Sequence, residues 1–94
     1  MMLVTRINEF KAAEGKSEEL FEFLRAMVTY VSASEGAVLC EALQRHDDHS
    51  SFVVIEKWTS IDFHKKFVKN FPKEEMVVAM SLVASPPKGG YFNG

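Results

Sequence analysis

The spacing of hydrophobic and polar residues along this chain changes between a period of two, which is typical of strands, and a period near 3.6, which is typical of helices. Period-two alternation predicts strands over Leu3–Phe10, Ala37–His46 and Ser51–Trp58. A short fourth strand is predicted over Lys88–Asn93. The polar stretch His46–Ser50 has the length of a hairpin turn, so we expect the second and third strands to pair in antiparallel fashion.

Apolar residues at helical spacing predict helix between these strands. The first helix begins with Ser17 as its N-cap and ends near Ser34. The second begins after a cap at Thr59 or Ser60, because a short hydroxyl side chain accepts a hydrogen bond from a free N–H group one turn later. Three phenylalanines then recur at every fourth position on one helical face: Phe63, Phe67 and Phe71.

The segment that follows the second helix allows two interpretations. Pro72 suits the first turn of a new helix, and Met76, Met80 and Val83 recur at a helical interval. The β-branched pair Val77–Val78 leaves a strand open in the same stretch. We therefore expect a helix here and keep the strand as the alternative.

The predicted order is strand, helix, strand, strand, helix, strand within one domain over residues 1–94, which indicates an α+β ferredoxin-like fold with an antiparallel sheet. Its helices cover one face of the sheet. The other face carries Leu3, Thr5 and Ile7 together with every second residue of the two hairpin strands. No helix of the same chain is predicted to cover it. A chain of 94 residues with eight Phe, two Tyr and one Trp is short for burying so much apolar surface, so we expect this face to pack on a second copy as a homodimer.

Composition argues against several classes of partner. A formal net charge of −2 provides no electrostatic footprint for nucleic acid or anionic lipid, so binding to nucleic acid or to a membrane is not expected. No apolar run approaches the roughly 18 residues of a membrane span, and the first ten residues do not resemble a signal peptide. The single cysteine, Cys40, alternates with Val38 and Ala42 and is predicted to be a small core residue. A reducing, cytoplasmic location is the expectation.

Several short motifs point to one known family. The most specific is Glu56-Lys57-Trp58-Thr59-Ser60 at the end of the third predicted strand. The other matching pieces are Ile7-Asn8-Glu9-Phe10, the Glu14-Gly15-Lys16 turn, Glu35-Gly36 before the second strand, and Pro86-Pro87. Together these pieces resemble the antibiotic biosynthesis monooxygenase family, and the resemblance implies a dimeric α+β barrel of ferredoxin-like subunits.

The resemblance also implies oxygenation of small, electron-rich aromatic compounds, such as quinols or polyketide anthrones, often without metal or flavin. Such chemistry requires a substrate that loses a proton inside an apolar pocket and then passes an electron to O₂. Arg6 and Asn8, on one face of the first strand, are the candidate donors to the substrate anion, and Tyr30 and His64 are the candidate proton carriers. The predicted pocket wall consists of Phe23, Trp58, Phe63, Phe67 and Met76.

These candidates also have purely structural interpretations. Arg6 in that case either pairs with a glutamate on a helix or lies on an exposed edge, and Trp58 anchors the core and the dimer. His64 lies in the polar run Asp62–Lys66, which favours a solvated position. The corresponding alternative to a monooxygenase is a non-enzymatic small-molecule-binding or accessory protein with the same fold.

No cofactor or metal is expected. Haem-degrading members of the family combine an Asn on the first strand with a Trp on the second helix and a later His, whereas Phe67 and Val77 stand at the places of that Trp and that His here. The turn residues His46–His49 lack a preset geometry for one ion, so a solvated turn is expected in place of a metal site.

Overall fold

The structure of this chain, a computed structural model, describes residues 3–94 and contains four strands and three helices in that range. In chain order they are β1 (Val4–Lys11), α1 (Ser17–Ser32), β2 (Ala37–Arg45), β3 (Asp48–Trp58), α2 (Ile61–Asn70), α3 (Lys73–Ser81) and β4 (Lys88–Asn93). The predicted order holds, except that the second helical region is divided in two. The division falls at Phe71 and Pro72, which both have extended backbone, because a residue that precedes proline is disfavoured in helical conformation.

The four strands form one antiparallel sheet in the order β2-β3-β1-β4. Strand β1 is therefore interior, with β3 on one side and β4 on the other. The helices cover one face of this sheet. This arrangement confirms the predicted α+β ferredoxin-like fold.

The helix starts agree only in part with the predicted caps. Ser60 is the N-cap of α2, and its hydroxyl accepts a hydrogen bond of 3.4 Å from the Phe63 N–H group, as predicted. The cap prediction for α1 is wrong, because Ser17 is already helical and Lys16 occupies the cap position without a side-chain hydrogen bond. Helix α3 confirms the helical interpretation of the segment after Pro72.

The β2–β3 hairpin closes more tightly than expected. Its turn consists of His46 and Asp47, and β3 already begins at Asp48. The Asp48 carboxylate pairs with Lys11 Nζ at 2.7 Å and accepts a hydrogen bond of 2.7 Å from the Ser50 hydroxyl. These two partners hold the pKa of Asp48 well below its usual range. The Asp48 carboxylate at the start of β3 thus ties this strand to the end of β1.

The core lies between the helices and the sheet face that they cover. Leu20 and Leu24 of α1 are fully buried against Phe52 and Val54 of β3. A second buried cluster consists of Val4, Val31 and Trp58. Cys40 packs against both clusters, and burial raises the pKa of its thiol to about 12, so the thiol stays protonated and has the core role that its position predicts.

The second face of the sheet has no helix against it in the described part of the chain. Leu39 and Leu43 of β2 and Phe92 of β4 lie on this face and are exposed. Ile7 and Ile55 pair with each other on the same face. A monomer rarely leaves such an apolar surface in water, so this is the surface that the predicted homodimer would bury.

Two glycines allow a matched test of a packing contact. Gly15 (φ 76°) and Gly36 (φ 84°) both have left-handed backbone, which costs another residue about 1–2 kcal/mol. A Cβ at Gly15 would meet open space, whereas one at Gly36 would overlap the Phe63 ring. We expect Gly36→Ala to lower the free energy of unfolding by about 2–5 kcal/mol, because overpacking adds about 1–3 kcal/mol, and Gly15→Ala by about 1–2 kcal/mol only. Equal losses in urea denaturation would contradict the Phe63 contact.

Candidate functional site

A row of polar and titratable side chains crosses the sheet on the face that the helices cover. Arg6 on β1 lies directly opposite Glu56 on β3 and Tyr91 on β4. Cys40 on β2 lies opposite Glu56 and extends the row. Side chains at every second position of a strand share a face, so the buried Val4, two residues before Arg6, brings Arg6 to the covered face.

His64 of α2 lies over this row and is only 6% exposed. Its Nδ1 is 2.6 Å from the Tyr91 hydroxyl oxygen, and its Nε2 is 3.8 Å from Glu56 Oε1. The His64 ring also packs edge-on against Trp58, with 5.5 Å between the ring centroids. The interpretation of His64 as a solvated residue is therefore wrong. His64 shares the sheet-facing side of α2 with Phe67, three positions later, as helical spacing allows.

Glu56 belongs to the most specific family motif, but the sequence analysis did not name it as a functional candidate. It is 2% exposed, and its Oε1 accepts a hydrogen bond of 2.9 Å from Trp58 Nε1–H. Burial raises the pKa of the Glu56 carboxyl, whereas the Trp58 hydrogen bond and the charge of Arg6 act in the opposite direction. The sequence did contain an indication that Glu56 is buried. Glu56 alternates with Val54 and Trp58 along β3, so its carboxylate must lie on the same buried face as these two residues. Buried carboxylates of this kind are candidates for function.

Arg6 carries the positive charge of this site. None of the ion pairs within residues 3–94 includes Arg6, so the interpretation in which it pairs with a helix glutamate is wrong. Its guanidinium lies over the Tyr91 ring, 4.8 Å from the centroid, and its buried Nε has no hydrogen-bond partner among the described residues. The contact with the Tyr91 ring attracts the Arg6 cation less strongly than a bidentate anion would. The N–H groups of the guanidinium therefore remain free to donate to an anionic ligand.

Asn8 lies one row further along β1, opposite Gly89 of β4. Gly89 makes room for two polar side chains, since a Cβ there would overlap both Asn8 Oδ1 and the Arg6 guanidinium. Asn8 and Arg6 therefore converge over a position of the neighbouring strand that lacks a side chain. A cationic donor and an amide lie side by side as a result.

These side chains form the floor of a cleft of about 240 Å³ between the sheet and helices α2 and α3. Its roof and walls are mostly apolar and consist of Phe10, Phe23, Met27, Phe67, Val68, Phe71, Met76, Ala79, Met80 and Pro87. The polar residues that border it are Arg6, Asn8, Glu56 and His64. A small apolar cleft with a few convergent polar groups is the usual form of a ligand site.

The protonation state of His64 follows from its position in this cleft. Burial, and to a smaller extent the positive charge of Arg6, lowers the pKa of His64 to about 4. The imidazole is therefore neutral at neutral pH, with one ring nitrogen as donor and the other as acceptor. Arg6 remains as the cation of the floor, with the Glu56 carboxyl directly opposite it.

Three of the predicted site residues, Tyr30, Phe63 and Trp58, do not border this cleft. Tyr30, near the end of α1, is 54% exposed and packs edge-on against Phe71 at 5.8 Å. Together with Phe63 it lines a separate cleft of about 250 Å³. The two candidate proton carriers, Tyr30 and His64, therefore border different clefts, because Tyr30 lies on the solvent side of α1. Trp58 is fully buried beneath the site, while three predicted wall residues do border the cleft: Phe23, Phe67 and Met76.

The polar floor is not arranged as a metal centre. Residues 3–94 contain no group of three or more His, Cys, Asp and Glu side chains placed to hold a metal ion. The polar side chains of the cleft include one carboxylate and one imidazole, fewer than the three or four protein ligands typical of zinc. Within the same residues, no helix is long and apolar enough to cross a membrane.

Comparison with known families identifies the relatives of this chain. The sequence profile of the family described as antibiotic biosynthesis monooxygenase matches residues 3–75, which is most of the chain. The chain belongs to this family. The match to the antibiotic biosynthesis monooxygenase family spans the strands and the helix that supply Arg6, Asn8, Glu56 and His64, and it ends within α3, before Tyr91.

Solved structures extend the antibiotic biosynthesis monooxygenase likeness over the whole chain. The cofactor-independent oxygenase SnoaB from Streptomyces nogalater has a TM-score of 0.85 and 21% identity, over 100% of this chain and 94% of that one. A Nitrosomonas europaea protein named after the same family has a TM-score of 0.90 and 19% identity, over 98% and 89% of the two chains. Another protein from that organism, of unknown function, has a TM-score of 0.86 and 20% identity, over 100% and 90%. At such identities these likenesses establish the fold, and no curated protein matches the sequence significantly.

The low pKa of His64 has a consequence for stability in this antibiotic biosynthesis monooxygenase family member. The folded protein resists protonation of His64 between its usual pKa of 6.5 and about 4, whereas the unfolded chain does not. Stability therefore falls as the pH falls through this range, by roughly 3 kcal/mol for a shift of this size. We expect His64→Gln, which cannot titrate, to lose less stability than the unmodified protein between these two pH values in urea denaturation.

The matched control is His46→Gln in the exposed hairpin turn, which should leave the acid dependence unchanged. Glu56 acts in the opposite sense, since a raised carboxyl pKa favours the folded state at low pH, but its effect is common to both variants. An identical acid dependence for His64→Gln and the unmodified protein would contradict a neutral, buried His64.

Proposed function

We propose that this chain is a cofactor-independent monooxygenase-like enzyme that acts on a small hydroxylated aromatic compound of the quinol or polyketide type. Family membership supports an oxygenase of this kind, and the SnoaB fold supports chemistry without a cofactor. The observation that carries the proposal is the cleft itself, in which Arg6 and Asn8 converge on the floor of an otherwise apolar space.

The size of the cleft favours a small ligand. Its volume of about 240 Å³ lies below the roughly 300–1,000 Å³ that encloses a drug-sized molecule, so a small aromatic compound suits it. Phe67 and Phe71 supply aromatic surface for the ring, and Met76 and Met80 supply polarisable thioethers that pack on aromatic groups. The ring thus packs against the roof while its hydroxyl faces the floor.

The floor favours the ionised form of such a ligand. The Arg6 guanidinium provides a positive charge, and the Asn8 side chain, whose Oδ1 lies beside it, carries an amide NH₂ group as a neutral donor. In an apolar cleft these two donors are worth more than in water, because little solvent competes for the anion. The resulting electron-rich anion is the species that passes an electron to O₂, and the apolar roof excludes water from the reacting pair.

His64 has a supporting part in this proposal. With a pKa of about 4 it is a weak proton acceptor at neutral pH, but as a neutral imidazole it is an oriented hydrogen-bonding group. The contact of its Nδ1 with the Tyr91 hydroxyl fixes the ring over the floor. Tyr30, which lies outside the cleft, takes no part in the mechanism.

Oxygen uptake with a panel of quinols and anthrones tests the proposal. We expect consumption above the buffer rate, and a decrease of about 10²–10³-fold for Asn8→Ala or Arg6→Gln, as for the loss of one preorganised donor. Glu9→Gln is the matched control, since Glu9 lies on the same strand but on the opposite, exposed side. Uptake no faster than buffer with every compound would contradict the enzyme, and binding of the same compounds without uptake would favour the accessory-protein alternative.

The proposal includes a homodimer formed through the uncovered face of the sheet. The exposed Leu39, Leu43 and Phe92 lie on that face. A twofold axis would pack the same apolar face of two copies together, which is the usual symmetry of a dimer. The helix-covered clefts then remain accessible on the outside of the assembly.

Sedimentation at micromolar concentration tests the dimer. We expect Leu43→Glu to raise the dissociation constant by at least about 30-fold, because a carboxylate buried without a partner in an apolar interface costs about 2 kcal/mol or more. Val77→Glu on α3 is the control, since Val77 is 70% exposed and lies on the helical side. A monomeric unmodified protein, or equal effects of the two substitutions, would contradict this interface.

A further inference from the structure

We propose that Glu56 is the group that accepts the proton of the substrate hydroxyl in the cleft. This inference rests on the proposed function and names the acceptor for its first step. The O–H bond of the substrate breaks, a new O–H bond forms on a Glu56 carboxylate oxygen, and the electron pair of the broken bond stays on the substrate oxygen. The step is a proton transfer and needs no oxidant.

The position of the Glu56 carboxylate supports this role. Glu56 borders the cleft and lies directly opposite Arg6 in the strand pairing. The Trp58 Nε1–H group donates to Oε1 and fixes the orientation of the carboxylate, so the second oxygen, Oε2, is left to accept a proton. A hydroxyl held by Arg6 is therefore within the same small group of side chains as the acceptor.

Charge balance favours transfer to Glu56 over release to solvent. Before transfer, the floor holds the cation Arg6 and the anion Glu56, with His64 neutral. After transfer, Glu56 is neutral and the substrate oxygen carries the negative charge beside Arg6, so the net charge of the cleft is unchanged. Release of the proton to solvent would instead leave two anions with one cation in an apolar space, which is strongly unfavourable.

The other groups around Glu56 are poorer acceptors. Cys40, from β2, is a protonated thiol with a pKa of about 12, and His64, from α2, has its pKa lowered to about 4. The Tyr91 hydroxyl, from β4, is engaged with His64 Nδ1. Arg6, from β1, is a cation. Environments that move a carboxyl pKa up and an imidazole pKa down single out the carboxylate as the base.

Proton counting with lawsone tests the assignment. Lawsone is a hydroxynaphthoquinone that is already oxidised, and it is ionised at neutral pH. The protein with lawsone bound therefore resembles the protein with its substrate bound as the anion, after proton transfer. Calorimetry in buffers of different ionisation enthalpy should show uptake of about one proton per site by the unmodified protein, because Glu56 is protonated beside the bound anion. Glu56→Gln should bind lawsone without proton uptake, and its amide oxygen still accepts the Trp58 hydrogen bond, which preserves the fold.

Glu41→Gln is the matched control, because Glu41 lies on neighbouring β2 but is exposed, and it should leave the proton uptake unchanged. Lawsone binding without uptake by the unmodified protein, or loss of uptake in His64→Gln but not in Glu56→Gln, would overturn the assignment. These results would leave the proposed function intact. Failure of lawsone to bind any variant would instead contradict the aromatic site itself.

Oxygen uptake provides the second readout. Glu56→Gln should lower kcat by about 10²–10⁴-fold with a KM within a few-fold of the original, since removal of a general base affects the reacting state and leaves the ring contacts unchanged. The variant should also lose the acid limb of the pH profile. A variant that keeps both kcat and the acid limb would exclude Glu56 as the acceptor.

Discussion

The pairing of β1 with β3 on one side and β4 on the other sets the geometry on which the candidate site depends. This double register aligns Glu56, Arg6 and Tyr91 in one row and Val54, Asn8 and Gly89 in the next. A slip by one residue would turn Arg6 and Asn8 to the opposite face of the sheet. The buried Val4 at the start of the same strand opposes such a slip, because the slip would expose it. The strand register therefore determines both the packing of the core and the geometry of the site.

The site retains a buried carboxylate that a purely structural sheet would replace with an apolar residue. Burial of an ionised group is unfavourable, and the single hydrogen bond from Trp58 and the charge of Arg6 offset it only in part, since the pKa of Glu56 is still raised. The same burial that destabilises the charged carboxylate makes it a better proton acceptor. In the proposed mechanism, the energetic cost in the free protein and the reactivity toward a ligand are therefore two effects of one environment.

The sequence was sufficient for the fold because the change of hydrophobic period at Trp58 and the Ser60 cap are local signals. The orientation of α2 was not predictable in the same way. A stripe through Phe63, Phe67 and Phe71 and a stripe through His64, Phe67 and Phe71 both satisfy helical spacing, and only contacts with the sheet decide between them.

The partners of the buried polar residues were also beyond the reach of the sequence. Period-two alternation identifies the buried face of β3, on which Glu56 lies, but carries no information on the residue that will face it from another strand. Arg6 and Tyr91 reach Glu56 and His64 only through the register of β1 with β3 and β4. Glu56 therefore appeared in the sequence as part of a family motif, and its meaning as a buried acid emerged only with its neighbours in place.

The floor and the roof of the cleft differ in what they are able to recognise. The floor is built from strands, so its polar residues are placed by the cross-strand register, and the Glu56 carboxylate is also oriented by the Trp58 hydrogen bond. The roof is built partly from the short helix α3, whose methionines Met76 and Met80 are flexible side chains that adapt to irregular shapes. A ligand hydroxyl must therefore meet a fixed arrangement of charge, while the ring that carries it has freedom in its substituents. On this basis the proposed enzyme selects its substrates by the acidity and position of a hydroxyl group more strictly than by the shape of the ring.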